Sequence, residues 1–165
     1  MKKHAFRIAI VMLFLSLFLS PPFLFGQTKK QVSYPEGYRQ WTHVKSMVIE
    51  KGHPLYESFG GIHHVYANKA GLEAMKDNKP FPDGAVIVFD LLEAKSEGNA
   101  VTEGQRKFIG VMQKNAKMFR DTAGWGFEAF KNDSKERLVK DPKNECFNCH
   151  EAQKKNDYIF SGYRK

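Results

Sequence analysis

The sequence contains few cysteines, and this scarcity restricts the kinds of protein that it encodes. Only two of its 165 residues are cysteine, too few for the disulfide scaffold of a small secreted domain. With seven prolines and 42% hydrophobic residues, the chain is neither proline-rich nor disordered. Its length corresponds to about one domain and excludes a multidomain enzyme or a polytopic membrane protein.

Acidic residues are fewer than basic residues, and the net charge is +8. A positive charge of this size is common in proteins that bind nucleic acid or anionic membranes. Part of this charge lies in residues 1–26, which combine a basic start, an apolar run over residues 8–19 and a break at Pro21-Pro22. This order predicts a secretory signal peptide that is cleaved near Gly26, with an uncleaved membrane anchor as the alternative. The segment has three basic residues and no acidic one, so its removal lowers the net charge from +8 to +5.

The rest of the chain reads as one exported domain. Residues 27–33 predict a flexible lead-in, and the denser sequence after them predicts a single domain over residues 34–165. Its basic residues are dispersed among acidic ones, and no nucleic-acid-binding motif is present. We therefore expect a solvated basic surface, a periplasmic location and no nucleic-acid partner.

The hydrophobic pattern of this domain predicts an α+β fold, mainly an antiparallel β-sheet with a few helices. Strands are expected at residues 45–50, 62–66, 85–92, 106–113 and 125–130. The strand at 85–92 is apolar on both faces and should be central, whereas the aromatic alternation at 125–130 suits packing on one face. A helix is expected at residues 68–78, where Asn68 is a suitable N-cap, and another at residues 36–44. The other segments are expected to be a polar loop at residues 96–102 and helical stretches at residues 135–140 and 146–153.

Near the C-terminus, Cys146-Phe147-Asn148-Cys149-His150 has the form C-x-x-C-H. In an exported protein this spacing is typical of the covalent attachment of haem c. Two thiols three positions apart add to the two vinyl groups on one edge of the porphyrin, and the adjacent imidazole becomes the proximal ligand of the iron. The motif therefore predicts one haem c, attached through Cys146 and Cys149, with His150 as the metal ligand.

Three other uses of a cysteine pair fit this sequence less well. A structural zinc site needs about four protein ligands, and no second cysteine pair is present, although His63 and His64 are conceivable partners. A thioredoxin-like redox pair needs a βαβ context. A disulfide between Cys146 and Cys149 would be strained at this spacing.

The position of the motif also bears on the second axial ligand of the iron. Residues 151–165 contain no methionine and no histidine, so that ligand would have to come from upstream. The upstream candidates are Met47, Met75, Met112, Met118, His43, His53, His63 and His64. Methionines in apolar patterns usually fill core space, and His63 and His64 are adjacent on a strand and so face opposite sides. The sequence therefore favours an open axial site, which binds small ligands such as NO, CO or O₂.

Several further motifs occur along the chain in an order that is typical of one family. They are Tyr34-Pro35-Glu36-Gly37-Tyr38-Arg39, Trp41-Thr42-His43-Val44, His63-His64-Val65-Tyr66-Ala67-Asn68, Phe81-Pro82-Asp83-Gly84-Ala85 and Gly124-Trp125-Gly126-Phe127, followed by C-x-x-C-H. With these motifs the chain resembles the cytochrome P-460 family, which includes the cytochromes c′-beta. The resemblance covers essentially the whole domain and implies a largely antiparallel β fold, one c-type haem, a five-coordinate iron and a homodimer.

The resemblance also implies a division of functions. Cytochromes P-460 proper oxidise hydroxylamine and have a lysine joined to the haem edge, whereas cytochromes c′-beta lack this bond, have a phenylalanine-lined distal pocket and bind NO. The crosslinking lysine is expected on the strand after the Pro-Asp-Gly turn, but residues 85–93 contain none. Phe89 stands at that place, Lys95 comes at the strand's end, and Phe59 is a second candidate for the distal pocket.

An apolar distal side admits neutral diatomic ligands and offers no proton acceptor, whereas a hydroxylamine oxidase needs a base within reach of its substrate. Asp90 follows Phe89 directly on the expected strand, so its side chain should point to the opposite face of the sheet. The polar residues considered for the distal side are Arg39, Glu57, Glu93 and Asn115.

The leading hypothesis is therefore a periplasmic monohaem cytochrome of the c′-beta type that binds NO, with no catalytic residue assigned. The first alternative is a hydroxylamine- or NO-oxidising oxidoreductase of the P-460 type. The second is a six-coordinate electron-transfer cytochrome. A redox partner protein is also expected.

Overall fold

The computed structural model describes residues 31–164, and its centre is one five-stranded antiparallel sheet in the order β1-β2-β3-β4-β5. The strands are β1 (Thr42–Ile49), β2 (Gly61–Ala67), β3 (Val86–Glu97), β4 (Ala100–Lys114) and β5 (Trp125–Lys131). Strands that are adjacent in the sequence are also adjacent in the sheet, so each connection is local. This architecture confirms the predicted α+β fold. The predicted signal peptide lies outside the described residues.

The helical elements are short and flank the sheet. They are α1 (Tyr56–Phe59), α2 (Lys69–Asp77), α3 (Asn148–His150), a π-helix (Lys143–Phe147) and the 3₁₀ turns Tyr38–Gln40, Arg120–Thr122 and Glu151–Asn156. The C-terminal region is therefore helical at 146–153, as predicted, but not at 135–140. Within residues 31–164, no helix is long and apolar enough to span a membrane.

The helix α2 begins where the sequence predicts, because Asn68 caps it. The Asn68 side-chain oxygen accepts from the backbone N–H of Gly71 at 2.9 Å and of Val86 at 3.0 Å. Its amide group donates to the carbonyl oxygen of Gly84 at 2.9 Å. One side chain thus satisfies the helix N-terminus and also ties the helix to the first residue of β3.

Two further predicted elements are wrong. Residues 36–44 form a single 3₁₀ turn followed by the start of β1, because pairing of Thr42 with Ala67 at the sheet edge outweighs the weak local preference for helix. Residues 96–102 are not a loop: β3 and β4 continue to a two-residue turn at Gly98-Asn99. Both turn residues have positive φ, 57° and 63°, the conformation that suits a tight hairpin.

Side chains alternate along the strands, so the sheet has two different faces. The front face bears His63, Val65, Phe89, Phe108, Gly110, Met112, Phe127 and Ala129, and it packs partly against α2 and the C-terminal segment. The back face bears Val88, Asp90, Ile109, Val111 and Phe130, and Val32 and Tyr38 help to cover it. The strand β3 is central, as predicted. The prediction that β5 packs on one face is wrong, since Phe127 and Phe130 are buried on opposite faces.

A charged network is buried in the back face. Asp90 is 1% exposed and accepts from Arg106 Nε at 2.6 Å and from the hydroxyl of Tyr38 at 2.7 Å. The bond to Asp90 raises the pKa of Arg106, and burial followed by the bond to Asp90 raises the pKa of Tyr38. The network fixes the 3₁₀ turn of Tyr38 to the central strand, and it places the Asp90 carboxylate on the side away from Phe89.

We expect Asn68→Ala to lower the free energy of unfolding by about 2 kcal/mol, because it removes the helix cap and two further hydrogen bonds. Asn99→Gly is the matched control and should change the free energy by less than about 0.5 kcal/mol, since glycine adopts positive φ freely. Chemical denaturation of both variants provides the measurement. Equal losses in the two variants would contradict the assigned role of Asn68.

Candidate haem site

The C-x-x-C-H motif lies on a continuous helical segment near the C-terminus. The π-helix that contains Cys146 leads directly into α3, which contains Cys149 and His150. The backbone N–H groups of Lys143 and Asn144, at the start of this segment, donate to the carboxylate of Asp141 at 3.1 and 3.2 Å. The helical conformation places the two cysteines, three positions apart, on one side of the segment.

The two thiols are free and differ in exposure. Cys149 is exposed and Cys146 is half-buried, and neither is in a disulfide. Burial, followed by the charge of Glu145, raises the pKa of Cys146 to about 11, so this group is a neutral thiol near pH 7. Both cysteines are therefore free thiols in this structure, and their attachment to a haem stays a prediction of the sequence motif.

The imidazole of His150 has the orientation that a metal ligand requires. Its Nδ1 lies 2.7 Å from the backbone carbonyl of Tyr158, and because a carbonyl only accepts, Nδ1 is the protonated nitrogen. The left-handed conformations of Asp157 and Tyr158, with φ of 48° and 67°, form the turn that brings this carbonyl back. The Nε2 atom keeps its lone pair, which is the arrangement of ligating histidines. Burial lowers the pKa of His150 and further favours the neutral ring.

The ring of His150 contacts two aromatic side chains. Its centroid lies 5.0 Å from that of Phe127, on the front face, and 5.0 Å from that of Phe160, in the C-terminal segment. The front face therefore continues through Phe127 to the predicted metal ligand.

Two small residues lie on the front face between the aromatic side chains. Gly110 and Ala129 are paired across β4 and β5. A Cβ atom built on Gly110 would lie 3.5 Å from the Phe89 side chain. Phe89 and Phe108 lie on one side of this pair and Phe127 on the other, so the residues present have the apolar character that suits an apolar group such as haem.

Three half-buried phenylalanines form one aromatic cluster on the front face. The ring centroid of Phe89 lies 6.1 Å from that of Phe59 and 5.9 Å from that of Phe108, and the last two are 6.0 Å apart. The sequence predicted Phe89 and Phe59 for a distal pocket, and the structure brings these two together. Phe108 was missed, although its alternation with the predicted strand residue Gly110 was a usable signal.

His63 is the main residue whose position sequence reasoning did not predict. It is 1% exposed, and its ring centroid lies 4.5 Å from that of Phe89. Its Nε2 donates to the backbone carbonyl of Phe59 at 2.5 Å, whereas its buried Nδ1 has no hydrogen-bond partner among residues 31–164. His63 therefore contacts both Phe59, through its carbonyl, and the ring of Phe89.

The other candidates for a second axial ligand are dispersed. His43 and His64 lie in an exposed chain of hydrogen bonds through Ser46, with His64 on the back face. The remaining candidates are two exposed methionines, Met47 and Met118, one exposed histidine, His53, and two methionines that belong to the front core, Met75 and Met112.

The polar residues considered for the distal side have other surroundings. Arg39, Glu57 and Glu93 are exposed, and the side-chain oxygen of Asn115 accepts from the N–H of Met118 in a turn. Within residues 31–164, no three His, Cys, Asp or Glu side chains are placed to hold a metal ion together, so the zinc alternative gains no support.

The buried position of His63 leads to a prediction about pH. Burial lowers its pKa, and the charges of His64 and Lys107 lower it further. In the unfolded chain the imidazole of His63 takes up a proton near pH 6.5, whereas in the folded chain it does so only at a lower pH. The free energy of unfolding therefore falls as the pH decreases below about 6.5.

We expect His63→Gln to lose less stability than the parent protein between about pH 7.5 and 5.5. Urea unfolding at each pH provides the measurement. His53→Gln, which changes an exposed histidine, is the control and should follow the parent. A pH dependence unchanged in His63→Gln would disprove this assignment.

Comparison with known proteins agrees with this geometry. A search among curated proteins finds no match to the chain. The sequence model of the family Cytochrome P460 matches residues 35–161, a range that includes the whole sheet, the aromatic cluster and the C-x-x-C-H motif. Membership of this family implies a haem cofactor. The match confirms the resemblance found in the sequence, and the chain belongs to the cytochrome P460 family.

Proposed function

We propose that the protein is a periplasmic monohaem c-type cytochrome with an open axial site that binds small neutral ligands such as NO. The observation that carries this proposal is the aromatic cluster of Phe59, Phe89 and Phe108 on the same sheet face that leads to His150. The signal-peptide pattern of residues 1–26 supports export. The homodimer that the family resemblance implies is part of the same proposal.

Three residues would hold the cofactor in this proposal. Cys146 and Cys149 would form the thioether bonds to the haem, and His150 would bind the iron through Nε2, because its Nδ1 already donates to the Tyr158 carbonyl. When bound, the haem supplies an iron with an axial position that takes a small ligand and changes oxidation state.

The aromatic cluster determines which ligands enter. Apolar rings exclude water and disfavour charged ligands, since a charge that leaves water without a partner loses its solvation. The one buried carboxylate of the central strand, Asp90, is on the back face and is held by Arg106. The cluster itself therefore contains no group that accepts a proton from a bound substrate.

One observation favours the alternative of hydroxylamine oxidation. The Nδ1 of His63 is buried without a partner next to Phe89, so an imidazole base lies behind the cluster and would accept a proton if Phe89 moved. Against this alternative, β3 has no lysine beside Phe89, and Lys95 is exposed six positions further along. We therefore rank ligand binding first.

Replacement of both thiols tests the attachment. Cys146→Ala/Cys149→Ala should lose the covalent haem, because no sulfur remains to form a thioether, and mass spectrometry should record only the mass of the polypeptide. His150→Ala is the control and should retain haem mass while the spectrum of the iron changes. Retention of covalent haem in the double variant would disprove the assignment.

The absorption spectra of the ferric and ferrous protein test the function. We expect five-coordinate iron in both states, uptake of CO and NO by the ferrous protein, and no hydroxylamine turnover. A strongly red-shifted ferrous band with turnover would support the P-460 alternative. Low-spin iron in both states would support the six-coordinate electron carrier and contradict our proposal.

Removal of the central ring should change ligand entry. Phe89→Ala is expected to accelerate the association of NO and CO and to cost up to about 3 kcal/mol of stability, since the ring is only half-buried. Phe119→Ala, which truncates a ring on the back face, should destabilise the protein without changing the association rate. Flash photolysis of the CO complex measures both variants, and equal rates would contradict the role of Phe89.

A further inference from the structure

We propose that the surface around Phe160 is the docking site for an acidic electron-transfer protein. The inference rests on the proposed function, because the partner would exchange an electron with a haem bound at His150. It adds to that function a location and a charge for the partner. Three features of the surface support it: an exposed ring in contact with the iron ligand, a hollow beside that ring, and a basic rim.

The exposed ring connects the iron ligand to solvent. Phe160 is 57% exposed, the highest value among the large hydrophobic side chains of residues 31–164. Its ring meets that of His150 edge-on, with the centroids 5.0 Å apart. The imidazole also contacts Phe127, which is buried. A protein that covers Phe160 would therefore come within one aromatic ring of the predicted iron ligand.

A hollow of about 410 Å³ lies beside this ring. Its apolar lining includes Met75, Phe81 and Ile159, and its rim includes Lys154 and Lys155. An apolar centre with a charged rim is the usual anatomy of a specific protein interface. A small anion would need the lysines but would gain nothing from an exposed aromatic ring, so the combination favours a protein partner.

The rim carries more positive than negative charge, although the exposed Glu151 lies one turn before Lys154 and Lys155. The carboxylate of Asp157 points inward, where it binds Lys114 Nζ at 2.8 Å and the N–H of Phe81 at 2.9 Å. Lys154 and Lys155 are exposed. Lys79 also lines the hollow but is paired with the exposed Asp77. The surplus of lysines selects a partner with an acidic surface and accelerates its approach.

The transfer itself is simple to balance. One electron passes from the reduced protein to the oxidised centre of the partner, or in the reverse direction, and no bond forms or breaks. The acidic redox protein supplies the acceptor or donor. Such a partner binds briefly, which agrees with a small interface whose affinity depends on charge.

The experiment uses the haem-loaded protein and plastocyanin, an acidic copper protein, as the probe. The reduced protein is mixed with oxidised plastocyanin in a stopped-flow instrument, and the second-order rate is measured at low and high ionic strength. Lys154→Glu/Lys155→Glu should lower the rate at low ionic strength by about tenfold or more. The difference should shrink at high ionic strength, because salt screens exposed charges.

The control is Lys51→Glu/Lys135→Glu, which makes the same change of charge at two other exposed lysines, of which Lys135 is paired with Glu36. Lys51 follows β1, and Lys135 follows the end of β5 remote from Trp125, whose indole nitrogen contacts Asp157. The control should keep the parent rate to within about twofold. An unchanged rate in the first variant, or an equal loss in both, would overturn the proposal.

Two further readouts separate this proposal from the proposed function. Titration of the isotope-labelled protein with plastocyanin should shift amide resonances of residues 154–162, and shifts confined to other regions would overturn the docking site. The absorption spectra and NO binding of the lysine variants should equal those of the parent. Low-spin iron in the parent would contradict the open axial site but would leave the docking site unaffected. An electron-transfer rate that does not depend on Lys154 and Lys155 would contradict the docking site but would leave the open axial site unaffected.

Discussion

The two-residue period of the central strand β3 is the constraint on which the rest of the molecule depends. With both faces covered, this strand carries Asp90 toward the back of the sheet and Phe89 toward the front. A buried carboxylate persists only with partners, and Arg106 and Tyr38 supply them. Because successive side chains point to opposite faces, a shift of one residue would exchange the two groups. It would place the Asp90 charge in the apolar face and separate Arg106 from Asp90, so the register of β3 also determines the chemistry of the proposed site.

The front face combines two regions that are distant in the sequence. The aromatic cluster comes from α1, β3 and β4, whereas His150 comes from the C-terminal segment. Two small residues of the face, Gly110 and Ala129, lie between Phe108 and Phe127. The hydrogen bond from Nδ1 of His150 to the Tyr158 carbonyl orients the imidazole. At the aromatic cluster, a hydrogen bond from Nε2 of His63 to the Phe59 carbonyl plays a similar part. Each half of the proposed site is therefore kept in place by a histidine that is hydrogen-bonded to a backbone carbonyl. His150 keeps its Nε2 available for iron, whereas His63 is buried next to the ring of Phe89.

Much of the fold follows from local pattern. The strands and α2 were predicted to within a few residues, apart from the longer β3–β4 hairpin, because apolar alternation and the Asn68 cap are local signals. The helix expected at residues 36–44 was wrong, since edge pairing with β2 and the contact of Tyr38 with Asp90 are not encoded locally. The length of the hairpin was missed because Gly98 and Asn99 read as loop residues, although paired positive φ values make them a tight turn.

By itself, the sequence led to the proposed covalent attachment of haem, since C-x-x-C-H places two thiols and an imidazole in one helical turn whatever surrounds them. It also determined that Phe89 and Asp90 lie on opposite faces, because a strand alternates. Only the tertiary structure decided which side chains join Phe89. It brought in Phe59 from a helix and Phe108 from the next strand, and it buried His63 behind the cluster while His64 stayed in the exposed network. The same holds for the contact between Phe160 and His150, which depends on a turn at Asp157 that folds the chain back. The spacing of residues within one element fixes the C-x-x-C-H motif and the alternation of Phe89 and Asp90. The contacts of Phe89 and of His150 depend on packing between elements, which no single segment encodes.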